Sequence, residues 1–215
     1  MPPEAEAPAA ARLYLITPPA LALGGFAGTL ARLLDRFEIA CVRLALATRS
    51  EEEVGRAADA LREVCHARDV PLVIADHFRL VGPLGLDGVH LSDGARQVRA
   101  ARAALGTEAI VGTYAHASRH DGMTAGELGA DYVSFGPMTQ SSLGDGALAP
   151  FELFQWWSEL IELPVVAEGG LTPQLAADLA GVADFLALGE EIWTHADGPE
   201  AALSAFVETL GAERT

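Results

Sequence analysis

Eight short apolar runs recur along this chain, separated by stretches with the period of an amphipathic helix. The runs are Leu13–Thr17, Ala40–Leu46, Pro71–Ala75, Asp87–Leu91, Ala109–Thr113, Asp131–Phe135, Pro164–Glu168 and Asp184–Leu188. Apolar segments this short, bounded by glycine, proline or polar residues, read as strands buried on both faces. The intervening stretches carry apolar residues at i, i+3, i+4 and i+7, as in Glu51–His66 (Val54, Ala57, Ala58, Leu61, Val64) and Pro199–Leu210 (Ala202, Leu203, Phe206, Leu210). Eight strand–helix alternations predict an α/β fold, a single-domain (β/α)8 TIM barrel. The alternative is an open doubly wound sheet. Its Gly-x-Gly-x-x-Gly turn after the first strand is missing, because Gly24, Gly25 and Gly28 come too late.

A length of 215 residues suits one such barrel. Residues 1–11, rich in alanine, proline and glutamate, read as a disordered tail, and residues 12–215 as the barrel. No apolar stretch is long and uninterrupted enough to span a bilayer, and no basic segment followed by an apolar one opens the chain, so it reads as soluble and cytoplasmic. A formal net charge of −16 argues against nucleic acid or an anionic membrane as partner. All fourteen basic residues are arginine, which excludes Schiff-base chemistry on a lysine. Cys41 and Cys65 lack the density and spacing of a disulfide framework or zinc site and read as buried thiols. Trp156 and Trp157 read as one core anchor beside one partly exposed ring, or as part of a homodimer contact.

The two ends of the strands carry different residues. Before three of them stand Gly85-Leu-Asp87, Gly129-Ala-Asp131 and Val182-Ala-Asp184, a pattern that ends a helix and starts a strand at the barrel's lower face. The opposite ends, where α/β barrels bind ligands, carry Thr17, Asp76-His77, His90, His116, Gly136, Glu168-Gly169-Gly170 and Glu190-Glu191.

Read in this order, the chain resembles the thiamine phosphate synthase family, including its thiazole tautomerase (TenI-type) branch. The resemblance runs from Leu13-Tyr-Leu-Ile-Thr17 to Ala183-Asp-Phe-Leu-Ala187. Its most specific parts are Asp87-Gly-Val-His-Leu91, the block from Gly129 to Pro137, and Pro164-Val-Val-Ala-Glu-Gly-Gly-Leu-Thr-Pro173. It implies a condensation in which a pyrimidine loses its pyrophosphate to the nitrogen of a thiazole phosphate. Such chemistry needs Mg2+ on oxygen ligands, cations around the leaving group and a cradle of backbone N–H groups for phosphate. The implied ligand is a small phosphorylated heterocycle.

Residue by residue, Asp76 keeps the metal-type aspartate of the family's Asn-Asp-Arg, with His77 at the arginine. The second metal carboxylate falls on Ala95, and Asp93, two positions earlier, reads either as a substitute ligand or as a helix cap. The family's Gln-x-Arg-x-Lys becomes Arg43-Leu-Ala-Leu-Ala47, so Ala45 and Ala47 replace both cations, and charge is restored in part by an inward-facing Arg43 or by His77 when protonated. His90 reads as a group that packs or hydrogen-bonds in the barrel mouth. The loop from Gly136 to Asp145 keeps Ser141 and Ser142 without the family's lysine, and reads either as a phosphate contact or as a polar loop. Gly169 and Gly170 keep the backbone geometry for phosphate, whereas Glu190 and Glu191 beside them repel an anion. His116 falls where the tautomerase branch places its proton-transfer histidine; a backbone-bonded loop histidine is the plainer reading.

Three functions are therefore expected to compete. One is a diverged synthase with Asp76 on the metal, another a tautomerase-like small-heterocycle enzyme using His116, and the last a noncatalytic ligand-binding barrel.

Overall fold

The computed structural model describes residues 11–48, 50–141, 143, 144 and 146–212. All of the expected tail except Ala11 lies outside the described residues, as do Ser142 and Asp145. In chain order the elements are β1 (Arg12–Ile16), α1 (Leu23–Arg36), β2 (Ile39–Leu44), α2 (Glu51–His66), β3 (Leu72–Ala75), α3 (Val81–Leu84), β4 (Gly88–Leu91), α4 (Val98–Leu105) and β5 (Ile110–Tyr114). There follow α5 (Arg119–Glu127), β6 (Tyr132–Phe135), α6 (Phe151–Leu160), β7 (Val165–Glu168), α7 (Pro173–Leu179), β8 (Phe185–Leu188), α8 (Glu190–Trp193) and α9 (Pro199–Ala212). Every strand pairs in parallel with its successor, and β8 pairs back onto β1 to close a TIM barrel.

Side-chain alternation along the strands builds two cores. Leu13, Leu15, Val42, Leu44, Leu72 and Ile74 point outward and join the helices in one continuous apolar cluster. Their neighbours Tyr14, Cys41, Val73, Tyr132, Val166 and Ala187 form a second cluster inside the barrel. Burial on both faces is why these strands read as unbroken apolar runs. Gly112 is required by this interior, because a β-carbon there would overlap the Tyr132 ring that lies across β5.

The lower-face aspartates act as ladder rungs. Asp87, Asp131 and Asp184 accept the N–H of Leu72, Val111 and Val165 at 2.7, 2.7 and 2.8 Å, and each returns its own N–H to the carbonyl of the same residue. Each pins the start of its own strand to the strand before it, so β4, β6 and β8 begin one residue later than expected. Gly85 and Gly129 hold the left-handed conformation (φ 61° and 97°) that ends the preceding helical segment. At the other end, β2 stops at Leu44 instead of Leu46, because the Thr17 hydroxyl accepts the Ala45 N–H at 3.0 Å and draws the chain off the ladder.

The helices start on side-chain caps where the sequence offers them. Ser50, Ser118 and Thr172 accept the N–H of Glu53, Asp121 and Leu175. Trp157 is the expected core anchor, buried with its Nε1 donating to Leu163 O at 2.7 Å, while Trp156 is half-buried under the Arg119 guanidinium. Among the described residues no helix is long and apolar enough to cross a membrane.

Candidate functional site

A cavity of about 900 Å³ opens at the carboxyl ends of the strands. Its floor is a polar layer set into the barrel interior. β2 and β7 project Arg43 and Glu168 inward, where they form an ion pair, and β6 adds the Ser134 hydroxyl, which donates to Glu168 Oε1 at 2.8 Å. Arg43 is 6 % and Glu168 1 % exposed. Burial opposes the charge on Arg43, but Glu168 more than restores it, and the guanidinium is held above its ordinary value. Arg43 Nε is the one N–H of this pair left buried without a partner among the described residues. Arg43 does face inward, as the charge argument requires, yet its charge is already matched by Glu168.

His90 completes the floor. Its Nδ1 lies 2.9 Å from the Tyr132 hydroxyl, which in turn lies 3.0 Å from that of Tyr14. Burial, reinforced by Arg43, lowers the His90 pKa well below the usual imidazole value, so the ring is neutral. Its approach to Glu168 at 3.9 Å is therefore no ion pair. Burial pushes both tyrosine hydroxyls above their ordinary values, and they serve as neutral hydrogen-bonding groups. His90 thus bonds in the barrel mouth, as its place in the strand motif predicts.

The upper wall between β7 and β8 is built differently. Gly169 and Gly170 are successive left-handed residues (φ 86° and 72°), and side chains there would collide with Pro137, Leu143 and Thr139. This turn aims the N–H groups of Gly170 and Leu171 at one point, which the Gly189 N–H approaches from β8. Such a cradle suits an anion. Glu191 fills it: Oε1 accepts from Gly170 and Leu171 at 2.6 and 3.1 Å, and Oε2 accepts from Gly189 at 2.7 Å. The acidic pair expected only to repel an anion instead supplies one. Trp193, two residues further along α8, braces this wall by donating its Nε1 to Ile16 O at 2.6 Å.

The other expected residues divide. Arg43, His90, Ser141, Gly169 and Gly170 line the cavity. Asp76, His77, Asp93, His116 and Gly136 stand outside its lining. Asp76 sits just past the end of β3, exposed, with its carboxylate accepting from Ser92 N and Ser92 Oγ at 2.7 and 2.8 Å; Ser92 itself lines the mouth. Asp93 precedes a short 3₁₀ turn but makes no side-chain cap. Its Oδ2 accepts from Gln97, and Oδ1 is buried without a partner among the described residues. The His116 ring packs against that of Tyr114, with centroids 4.5 Å apart and planes tilted by 55°, and Tyr114 is the one that reaches the cavity. Both backbone groups of Gly136 are engaged, its N–H by His116 O and its carbonyl by the Tyr114 hydroxyl at 2.6 Å. Among the described residues no cluster of three or more histidine, cysteine or acidic side chains is placed to hold a metal.

Fold and site together define a TIM barrel with a ligand cavity at its carboxyl mouth, a neutralised ion pair as floor and a backbone anion cradle in its wall. The chain belongs to the thiamine monophosphate synthase family, which matches residues 13–192. A thiamine-phosphate synthase of Rhodospirillum centenum is 44 % identical over 91 % of this chain and 95 % of its own length. One of Erythrobacter litoralis is 40 % identical over 97 % of this chain and 99 % of its own. A solved thiamine phosphate pyrophosphorylase from Pyrococcus furiosus shares the fold at TM-score 0.79 and 19 % identity, covering 94 % of this chain and 96 % of the other.

Proposed function

We propose that this barrel works in thiamine biosynthesis, joining a pyrimidine pyrophosphate to the nitrogen of a thiazole phosphate with release of pyrophosphate. The observation that carries the reading is the cavity itself. It lies at the carboxyl mouth of a chain whose full-length relatives are named thiamine-phosphate synthase, and its volume of about 900 Å³ accommodates two small heterocycles.

The chemistry asks for stabilisation of positive charge as the pyrimidine methylene parts from pyrophosphate and the thiazole becomes a thiazolium. Glu190 and Glu191 at the mouth supply negative potential for both. Arg43 is the one arginine lining the cavity among the described residues, and although Glu168 matches its charge, its buried Nε leaves one N–H for the leaving group. Magnesium is commonly held by one or two carboxylates, with phosphate oxygens and water completing its shell. Asp76, exposed beside the mouth-lining Ser92, is the residue that would hold Mg2+ here, where the ion would neutralise the departing pyrophosphate. Two copies pairing through α6 fit its exposed Phe151 and Leu160.

The test is product formation. Purified protein, Mg2+, pyrimidine pyrophosphate and thiazole phosphate should give the joined heterocycles by mass spectrometry, and Asp76→Ala should cut the rate at least about tenfold. Absence of product, or an Asp76→Ala variant as active as wild type, removes the reading.

A further inference from the structure

We infer that Tyr132 is a positioning residue for this site: its hydroxyl, backed by that of Tyr14, holds the His90 ring so that the Nε2–H stays off Glu168 and is left for a ring nitrogen of the ligand. Taking that ligand as the pyrimidine pyrophosphate rests on the synthase reading.

The residues come from strands spread around the ring, Tyr14 from β1, His90 from β4 and Tyr132 from β6, and meet only inside the closed barrel. Tyr132 packs on His90 with ring centroids 5.6 Å apart and planes 26° apart, and its hydroxyl lies 2.9 Å from Nδ1. That hydroxyl also lies 3.0 Å from the hydroxyl of Tyr14. Such a chain has a direction. With Tyr14 donating to Tyr132 and Tyr132 to Nδ1, the imidazole hydrogen sits on Nε2. Reversed, Nε2 becomes a bare lone pair 3.9 Å from Glu168 Oε1. The carboxylate selects the first arrangement, because it attracts an N–H and repels a lone pair.

A separation of 3.9 Å is also too long for a hydrogen bond, whose heavy atoms lie within about 3.2 Å. Glu168 is itself held in place, by Ser134 at Oε1 and Arg43 at Oε2. Nε2 therefore makes no hydrogen bond among the described residues, although His90 lines the cavity. A donor held in this state waits for an acceptor from the ligand. Because the ring is recessed in the floor, the edge of a flat heterocycle suits it, with the phosphoryl groups left toward the mouth. Released from Tyr132, the imidazole is free to turn its N–H onto Glu168 and withdraw it from the ligand.

Two measurements on the intact protein test this. In the first, nitrogen-15 NMR of histidine-labelled protein, with the His90 signals assigned through His90→Gln, should show a protonated Nε2 and a bare Nδ1 at neutral pH. A bare Nε2 overturns the inference. In the second, calorimetry with Mg2+ and pyrimidine pyrophosphate compares wild type, Tyr132→Phe, His90→Gln and the double variant. Tyr132→Phe keeps the ring and removes the hydroxyl, and should weaken binding at least about fivefold. In the His90→Gln background the amide supplies its own N–H donor without help from Tyr132, so the same change should weaken binding by less than about twofold. Equal weakening in both backgrounds, or none in wild type, overturns the inference, since a merely structural tyrosine does not act through His90. Should pyrimidine pyrophosphate bind none of these proteins, the synthase reading fails while the NMR measurement still decides where the hydrogen is held.

Discussion

Arg43 on β2 and Glu168 on β7 meet across the interior of the barrel, and this ion pair forms the floor on which any ligand must rest. Its partners are spread around the ring, with Ser134 on β6 and His90 on β4. Replacing one buried partner strands the other charge, whereas replacing both with apolar residues does not. Glu168→Ala and Arg43→Ala should each cost about 3–5 kcal/mol, and the double variant Arg43→Met/Glu168→Leu should lose much less. Urea denaturation of the three variants reads the difference. Additive losses in the double variant would show that the two residues do not act as a pair.

The buried neutral His90 makes stability depend on pH. Its folded-state pKa is depressed, first by burial and then by Arg43, so between that value and the unfolded value of about 6.5 the unfolded chain binds the extra proton. Linkage then lowers stability as pH falls below about 6.5, with a slope approaching 1.4 kcal/mol per unit. Arg43, Glu168, Tyr132 and Tyr14 surround the ring and are unchanged in His90→Gln, which should flatten this slope. Denaturation curves at several pH values compare the two proteins, and an equal slope in both would rule His90 out as its source.

The thiols should be inert while the protein is folded. Burial pushes both Cys41 and Cys65 up to about 12, so neither presents a thiolate near neutrality. A chromogenic disulfide reagent should find no reactive thiol until denaturant is added, and then two. Rapid modification of the native protein would contradict the burial described here.

Gly112 is a packing constraint on the interior. Gly112→Ala drives a methyl group into the Tyr132 ring, which hydrogen bonds to His90 and Tyr14 hold in place. A loss of about 3 kcal/mol is expected from such overpacking. An unshifted denaturation midpoint would mean that the tyrosine has room to move.

Much of this arrangement is legible in the sequence, for physical reasons. Strands buried on both faces leave unbroken apolar runs, and Asp87, Asp131 and Asp184 repeat because each performs the same pinning role. Period-two alternation also turns Arg43 inward. The meaning of Glu191 is not legible in the same way. Its carboxylate acts through N–H groups that the Gly169-Gly170 turn brings over from 21 residues away, and sequence adjacency to Glu190 signals repulsion only. Tyr14, Tyr132 and Ser134 sit inside apolar runs and look like ordinary strand residues until the barrel closes and joins their hydroxyls. The His116 ring lies tilted against Tyr114, a relation that depends on how the loop after β5 turns.

The most direct measurement is pyrophosphate release with Mg2+, pyrimidine pyrophosphate and thiazole phosphate. The expected result is release of pyrophosphate in step with formation of the joined heterocycles. No release would contradict the central claim that this mouth performs the condensation.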